Sequence, residues 1–211
     1  MQNFFFDFDG TLADTRAVAV TATQKAFAAK GLTEPSDDVV AGYMGIPIEV
    51  SFDKMADRPL TAAEHEPLYQ EFRRQYGLAD SQIKIFDGMA DTLAELKHRG
   101  ARLFVVSSKH STPLQRNLNQ IGLGATFEAL CGSDTVAHYK PAPDGILNLL
   151  DRYDLQPEQS VMIGDAIYDI QMGQNAHVNT AAAMYGAADP AAVRAQQPTF
   201  FLEHPTDLLT I

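Results

Sequence analysis

The apolar run Phe4-Phe5-Phe6 ends in Asp7-Phe8-Asp9-Gly10, a pattern that predicts a short buried strand breaking into a glycine turn. Later runs of the same character are Arg102–Val106, Phe127–Cys131, Ser160–Ile163 and, weaker because of its alanines, Val178–Met184. Between these runs the spacing turns helical. Met89, Leu93 and Leu96 fall at i, i+4 and i+7, with Gly100 as a stop. Leu114, Leu118 and Ile121 repeat that spacing, with Ser111 as the N-cap, Pro113 near the helix start and Gly122 as the stop. Strand and helix patterns in alternation predict an α/β fold, a parallel sheet with helices on both faces.

One stretch breaks the alternation. From Thr15 to Gln82 the patterns are helical, as in Arg16 to Lys30 before Gly31 and Ala62 to Tyr76 before Gly77, and no strand is convincing. The expected organisation is therefore a core made of residues 1–14 and 83–211, interrupted by a helical cap at 15–82. The chain has no internal repeat and no low-complexity tract.

Composition narrows the setting. The 211 residues are 45% hydrophobic and 20% charged, which is ordinary for a globular protein. No apolar run approaches the length that spans a bilayer, and the N-terminus lacks the basic start of a secretory signal. Cys131 is the single cysteine, so an intrachain disulfide and a cysteine-based metal cluster are excluded; at the end of an apolar run it reads as a small buried residue. These features suit a cytoplasmic protein. The net charge of −11 argues against a nucleic-acid partner, and no membrane or protein partner is expected. An acidic chain does not draw anions by its overall field, so any affinity for phosphate has to be built locally.

The chemistry-bearing residues stand at strand ends, where open parallel sheets bind ligands. Asp7 and Asp9 follow the first strand, and period-two alternation sends them roughly the same way with Phe8 turned to the core. Two adjacent carboxylates are costly unless something neutralises them. Gly10 allows a sharp turn that exposes backbone amides. Ser107-Ser108-Lys109, Lys140-Pro141 and Gly164-Asp165-Ala166-Ile167-Tyr168-Asp169 follow later strands and converge on the same edge.

This ordered set resembles the haloacid dehalogenase-like hydrolase superfamily, and within it the phosphoglycolate phosphatase-like group, over nearly the whole chain. The resemblance implies a Rossmann-like core and a Mg²⁺-dependent phosphatase acting on a small phosphorylated metabolite. Asp7 would be the nucleophile, forming an aspartyl-phosphate, and Asp9 the general acid and then base. The metal would be held by Asp7, the main-chain carbonyl of Asp9, and Asp165, with Asp169 in support. Gly10, Ser107, Ser108 and Lys140 would bind the phosphate. Ser107 stands where the family more often has threonine, and Ser108 where asparagine is frequent; both keep a hydroxyl.

Charge supports the assembly. The carboxylates of Asp7, Asp9, Asp165 and Asp169 bring −4 and Lys140 +1, leaving −3, which repels a phosphate dianion. A divalent cation and a proton on Asp9 bring that to zero.

Blander readings stand beside these roles. Asp7, Asp9 and Asp165 would also serve as turn or helix-capping residues, Asp169 as a solvated helix position and Lys140 as an ordinary loop lysine. Lys109 and His110 read as rim residues, and Tyr43, Lys54, Arg58, Arg73 and Arg74 as solvated faces of the cap. Competing functions are a sugar-phosphate mutase of the β-phosphoglucomutase kind, a pyrophosphatase, and a non-catalytic binding or regulatory module. Such mutases carry Glu-Asp where this chain has Gly164-Asp165, which favours hydrolysis.

Overall fold

Three consecutive phenylalanines are all buried only in a strand covered on both faces, and that is where they lie. The computed structural model describes all 211 residues. β1 (Asn3–Phe6) runs into a turn and the two-residue β2 (Ala13–Asp14). Four helices follow: α1 (Arg16–Ala29), α2 (Asp37–Tyr43), α3 (Ile48–Met55) and α4 (Ala62–Ala79). The chain returns through β3 (Lys84–Ile85) and α5 (Met89–His98) to β4 (Arg102–Val106), α6 (Ser111–Gln120) and β5 (Ala129–Cys131). It finishes with α7 (Asp144–Tyr153), β6 (Ser160–Gly164), α8 (Ile167–Asn175), β7 (Asn179–Ala183), α9 (Pro190–Ala195) and β8 (Phe200–Leu202).

Six strands form one parallel sheet in the order β5-β4-β1-β6-β7-β8, as the α/β pattern requires. The alternation within β1 divides its rings between the faces. Phe4 and Phe6 join Leu103, Val105, Val161 and Ile163 in one cluster, and Phe5 joins Phe104, Val106 and Met162 in the other. Each such side chain removed from water contributes about 1.5–3 kcal/mol, so the central strand is fixed on both sides and its tip is held rigidly.

α1–α4 have a core of their own, in which Phe27, Phe52, Leu68 and Tyr69 pack together. β2 and β3 form a small antiparallel pair where the chain leaves and re-enters the sheet layer. No helix is long and apolar enough to cross a membrane.

The structure adjusts some boundaries. Met89, Leu93 and Leu96 are buried on α5 as their spacing predicts. On α6, His110 is the N-cap instead of Ser111: its ring accepts the Thr112 N–H, while Ser111 is drawn to Asp134 through both its amide (2.7 Å) and its hydroxyl (2.6 Å). β5 covers only the last three residues of the predicted Phe127–Cys131 run. β8 and the β2–β3 pair were not expected, because three and two residues are too short to show a period.

Candidate active site

β1 ends at Phe6, and Asp7 stands just beyond it, 2% exposed, with its amide bonded to the Ile163 carbonyl of β6. Phe8 is fully buried in the core and anchors the turn, its carbonyl accepting from the amides of Thr11, Leu12 and Ala13. Gly10 has φ +79°, and its amide donates to the Ala13 carbonyl. A Cβ there would lie 2.2 Å from Asp165 Oδ2, so glycine is needed for both the turn and the close approach. Because the Gly10 amide is engaged within the turn, the unbonded donors at this strand tip are the amides of Phe8 and Asp9.

The acidic side chains come from separate segments. Ligand oxygens of Asp7, Asp165 and Asp169 lie within 4.8 Å of one another, all buried. Asp165 follows β6 and accepts from Thr11 Oγ1 at 2.9 Å. Asp169, in the first turn of α8, accepts the Ala166 amide at 3.0 Å and folds back over the strand end. Gly164 makes this possible, since a Cβ there would meet the Asp169 Cβ at 2.2 Å. Lys140 donates to Asp7 Oδ1 and to Asp169 Oδ1, each at 2.7 Å. It is a buried charge with buried partners.

Burial raises the Asp7 carboxyl to about 7, with Asp169 and Asp9 adding to the rise and Lys140 opposing it. Burial also pushes Asp165 well above the usual carboxylate range, helped by Asp169 and Asp7. For Lys140 burial works against the ammonium, but Asp169 and Asp7 outweigh it and hold the group above the ordinary lysine value. One ammonium does not satisfy this many dry carboxylates. Their hard oxygen donors fit a small divalent cation.

Asp9 does not join that cluster. The strand has ended, so period-two alternation no longer aligns it with Asp7. Its carboxylate turns towards the α1–α4 helices, where it accepts from Lys109 Nζ at 3.0 Å and from the Tyr76 hydroxyl at 3.3 Å. Lys109 is not a rim residue. It also reaches the Tyr76 hydroxyl at 2.8 Å and Asn117 Oδ1 at 3.3 Å, and lies over the rings of Phe8 and Tyr76. Burial, then the nearby Asp9 charge, raises the Tyr76 phenol well above its usual value, so it stays a hydrogen-bond donor.

Ser107 and Ser108 follow β4. The Ser107 hydroxyl is buried and accepts the Lys109 amide at 3.2 Å. Ser108 directs its hydroxyl to the Gly45 carbonyl at 2.6 Å, in the loop between α2 and α3, and its amide has no partner in the chain. That loop rests on the sheet edge, for a Cβ on Gly45 would touch Ala166 Cβ at 3.0 Å. After β7, Tyr185 donates to the Thr11 carbonyl at 3.0 Å, and Gly186 is so close to Gly10 that a Cβ would fall 1.7 Å from its carbonyl oxygen. Cys131 is buried, as its position predicts. A cavity of about 270 Å³ opens beside Asp7 and Asp9, walled by Ser107, Ser108 and residues of the four helices.

The sequence profile of haloacid dehalogenase-like hydrolases matches residues 4–183. A phosphoglycolate phosphatase from Aquifex aeolicus is 30% identical over an alignment of 213 positions, covering 100% of this chain and 96% of that protein. Pyrophosphatase PpaX from Oceanobacillus iheyensis is 27% identical, with coverage of 100% and 96%. A haloacid dehalogenase-like hydrolase from Bacteroides fragilis superposes with a TM-score of 0.91 at 26% identity, over 98% of this chain and 99% of that one. With its strand order, its acidic strand tips and a profile match across most of its length, the chain belongs to the haloacid dehalogenase-like hydrolase family.

Proposed function

We propose that the chain is a Mg²⁺-dependent phosphatase that hydrolyses small phosphate monoesters through an aspartyl-phosphate on Asp7, in the cytoplasm. The observation that carries this reading is the convergence of Asp7, Asp165, Asp169 and Lys140, delivered by three separate segments, on one buried point at the sheet edge.

Asp7, Asp165 and the main-chain carbonyl of Asp9 would hold the cation, with Asp169 in support. When bound, Mg²⁺ offsets the carboxylate charge and draws electron density from the phosphoryl oxygens. An Asp7 oxygen attacks phosphorus as the bond to the leaving oxygen breaks, and Asp9 donates a proton to that oxygen. Asp9 then takes a proton from the water that cleaves the aspartyl-phosphate, releasing phosphate and restoring Asp7. Lys140, Ser107 and the amides of Asp9 and Ser108 hold the other phosphate oxygens. Positioning and electrostatic stabilisation supply most of the acceleration in phosphoryl transfer.

Residues 15–82 act as a cap over the core of 1–14 and 83–211, excluding water from the reacting centre. Its separate apolar cluster and the Ser108–Gly45 contact support that division. Counting Lys109 with Lys140, and before Asp9 takes up the proton it delivers, four carboxylates face two ammonium groups, a balance of −2 that one divalent cation cancels. The names of the Aquifex and Oceanobacillus relatives support phosphate chemistry.

A phosphate-release screen over small phosphoesters with Mg²⁺ tests the reading, with Asp7→Asn as the blank. Release that disappears in the variant and in chelator supports it. Equal release from the variant removes Asp7 as nucleophile, and full release under exhaustive chelation removes the metal.

A further inference from the structure

We infer that the group esterified to phosphate in this protein's preferred substrates is uncharged and carries apolar surface, in place of a carboxylate or a second phosphate. The inference rests on the phosphatase reading above and names the leaving group that the site accepts.

The cavity beside Asp7 and Asp9 holds about 270 Å³, room for more than the phosphate alone. Val40, Ile46, Ile48, Phe52, Met55 and Phe72 give its lining an apolar wall. Thr23 and Ser51 add hydroxyls to the lining, and these are neutral. A carboxylate or a second phosphate brought against that wall would lose water and gain no charge in return.

Cations do line the cavity, but each already faces an acid of the chain. Lys109 holds Asp9 at 3.0 Å. Arg116 is 2.7 Å from Asp80, which is itself buried. Arg73 is 2.8 Å from Glu49 and 3.4 Å from Glu66, and Glu49 also borders the cavity. The His110 ring, a cation only when protonated, lies 3.7 Å from Asp134. Lys140 lies outside this lining, between Asp7 and Asp169. An anionic leaving group would have to share a cation whose charge an acid of the chain already offsets, whereas an alkyl or aryl group needs only to displace water.

The test compares kcat/KM, with Mg²⁺, for ethyl, butyl and hexyl phosphate, phosphoglycolate and pyrophosphate. The expected result is a rise of about three- to fourfold per added methylene along the alkyl series until the wall is covered. Phosphoglycolate and pyrophosphate should fall about tenfold or more below butyl phosphate, because their second anionic group is desolvated without a partner. A flat alkyl series overturns the inference. So does faster turnover of phosphoglycolate or pyrophosphate than of every alkyl ester, and in either case the hydrolase reading stands. If no compound releases phosphate, or if Asp7→Asn releases it equally well, the phosphatase reading itself fails.

A second arm places a cation on the wall. Ile46→Arg, in a partly exposed loop, should raise the phosphoglycolate-to-hexyl phosphate ratio of kcat/KM by about tenfold. A folded variant with an unchanged ratio, its melting curve matching the parent's, also overturns the inference.

Discussion

Lys140 Nζ lies 2.7 Å from Asp7 Oδ1, with both side chains at most 4% exposed. The pair carries two expectations. Lys140→Met leaves Asp7 and Asp169 without their ammonium, and breaking a buried pair from one side typically costs about 3–5 kcal/mol. Urea unfolding without divalent ions should show a loss of about 3 kcal/mol. Removing a donor to the phosphoryl oxygens should also cut kcat by about 10²–10³. Lys140→Arg should restore little of that rate, since a planar fork does not fit a point charge shared between two carboxylates.

Lys109 and Tyr76 both donate to Asp9 Oδ1. Hydrogen bonds to a charged group contribute about 1.5–3 kcal/mol each. Tyr76→Phe and Lys109→Met should therefore lower kcat by about ten- to a hundredfold, with smaller effects on KM. The check is a double-mutant cycle. If both residues act by positioning Asp9, Tyr76→Phe adds little once Asp9→Asn is present; independent, multiplying losses would contradict that role.

The sheet was legible because its strands are buried on both faces and so read as apolar runs, from Phe4–Phe6 to Ser160–Ile163. A carboxylate directly after such a run reads equally as a cap or turn residue, and the strand tips were legible because four such polar motifs follow successive runs in order. Lys109 was misread as a rim residue because a lysine's long stem does not reveal in sequence where its ammonium goes. A signal was present in its place two residues after Ser107, beside a strand tip that carries an unmatched Asp9. Ser108 was legible as a polar residue at the right tip, but its hydroxyl serves the loop at Gly45. Tyr185 and Gly186 gave no sequence signal, for their role depends on β7 lying two strands from β1.

Gly186 offers a direct check on that packing. A Cβ at this position would fall 1.7 Å from the Gly10 carbonyl oxygen, a contact with backbone that no rotamer relieves. Gly186→Ala should shift the Asp7–Thr11 turn, costing about 1–3 kcal/mol of stability through overpacking. The same shift should lower kcat by tenfold or more, on the order of what a 1 Å misplacement causes. Gly31→Ala, where the new Cβ meets nothing within 4 Å, is the control: it carries backbone strain at φ +69° but should leave kcat unchanged.

The start of α4 predicts a pH effect far from the site. Glu64 accepts from the Thr61 amide and hydroxyl and from Arg58, and these bonds, Arg58 first, lower its carboxyl to about 2. A depressed folded-state value means that ionised Glu64 stabilises the fold above its unfolded value of 4.5, and that this stability is lost as pH falls from there towards 2. The stability difference between wild type and Glu64→Gln should be constant from pH 7 to 5 and shrink below 4.5. A difference that grows on acidification would contradict the capping role.

Metal binding can be read without turnover. A ligand that binds only the folded chain stabilises it by about 2.7 kcal/mol at a hundred times its Kd, which for a chain of this size raises Tm by about 5–10 °C. Wild type should show that rise with Mg²⁺, and Asp7→Asn a smaller one, since its amide keeps an oxygen but loses the charge. Asp165→Asn should show the least, because Asp165 is otherwise held by the neutral hydroxyl of Thr11. Asp9→Asn should keep most of the rise, for its side chain points to Lys109 and Tyr76 and would lend the ion only a main-chain carbonyl. Equal Tm shifts in Asp165→Asn and wild type would place the cation elsewhere, and an Asp9→Asn variant blind to Mg²⁺ would make that carboxylate a ligand.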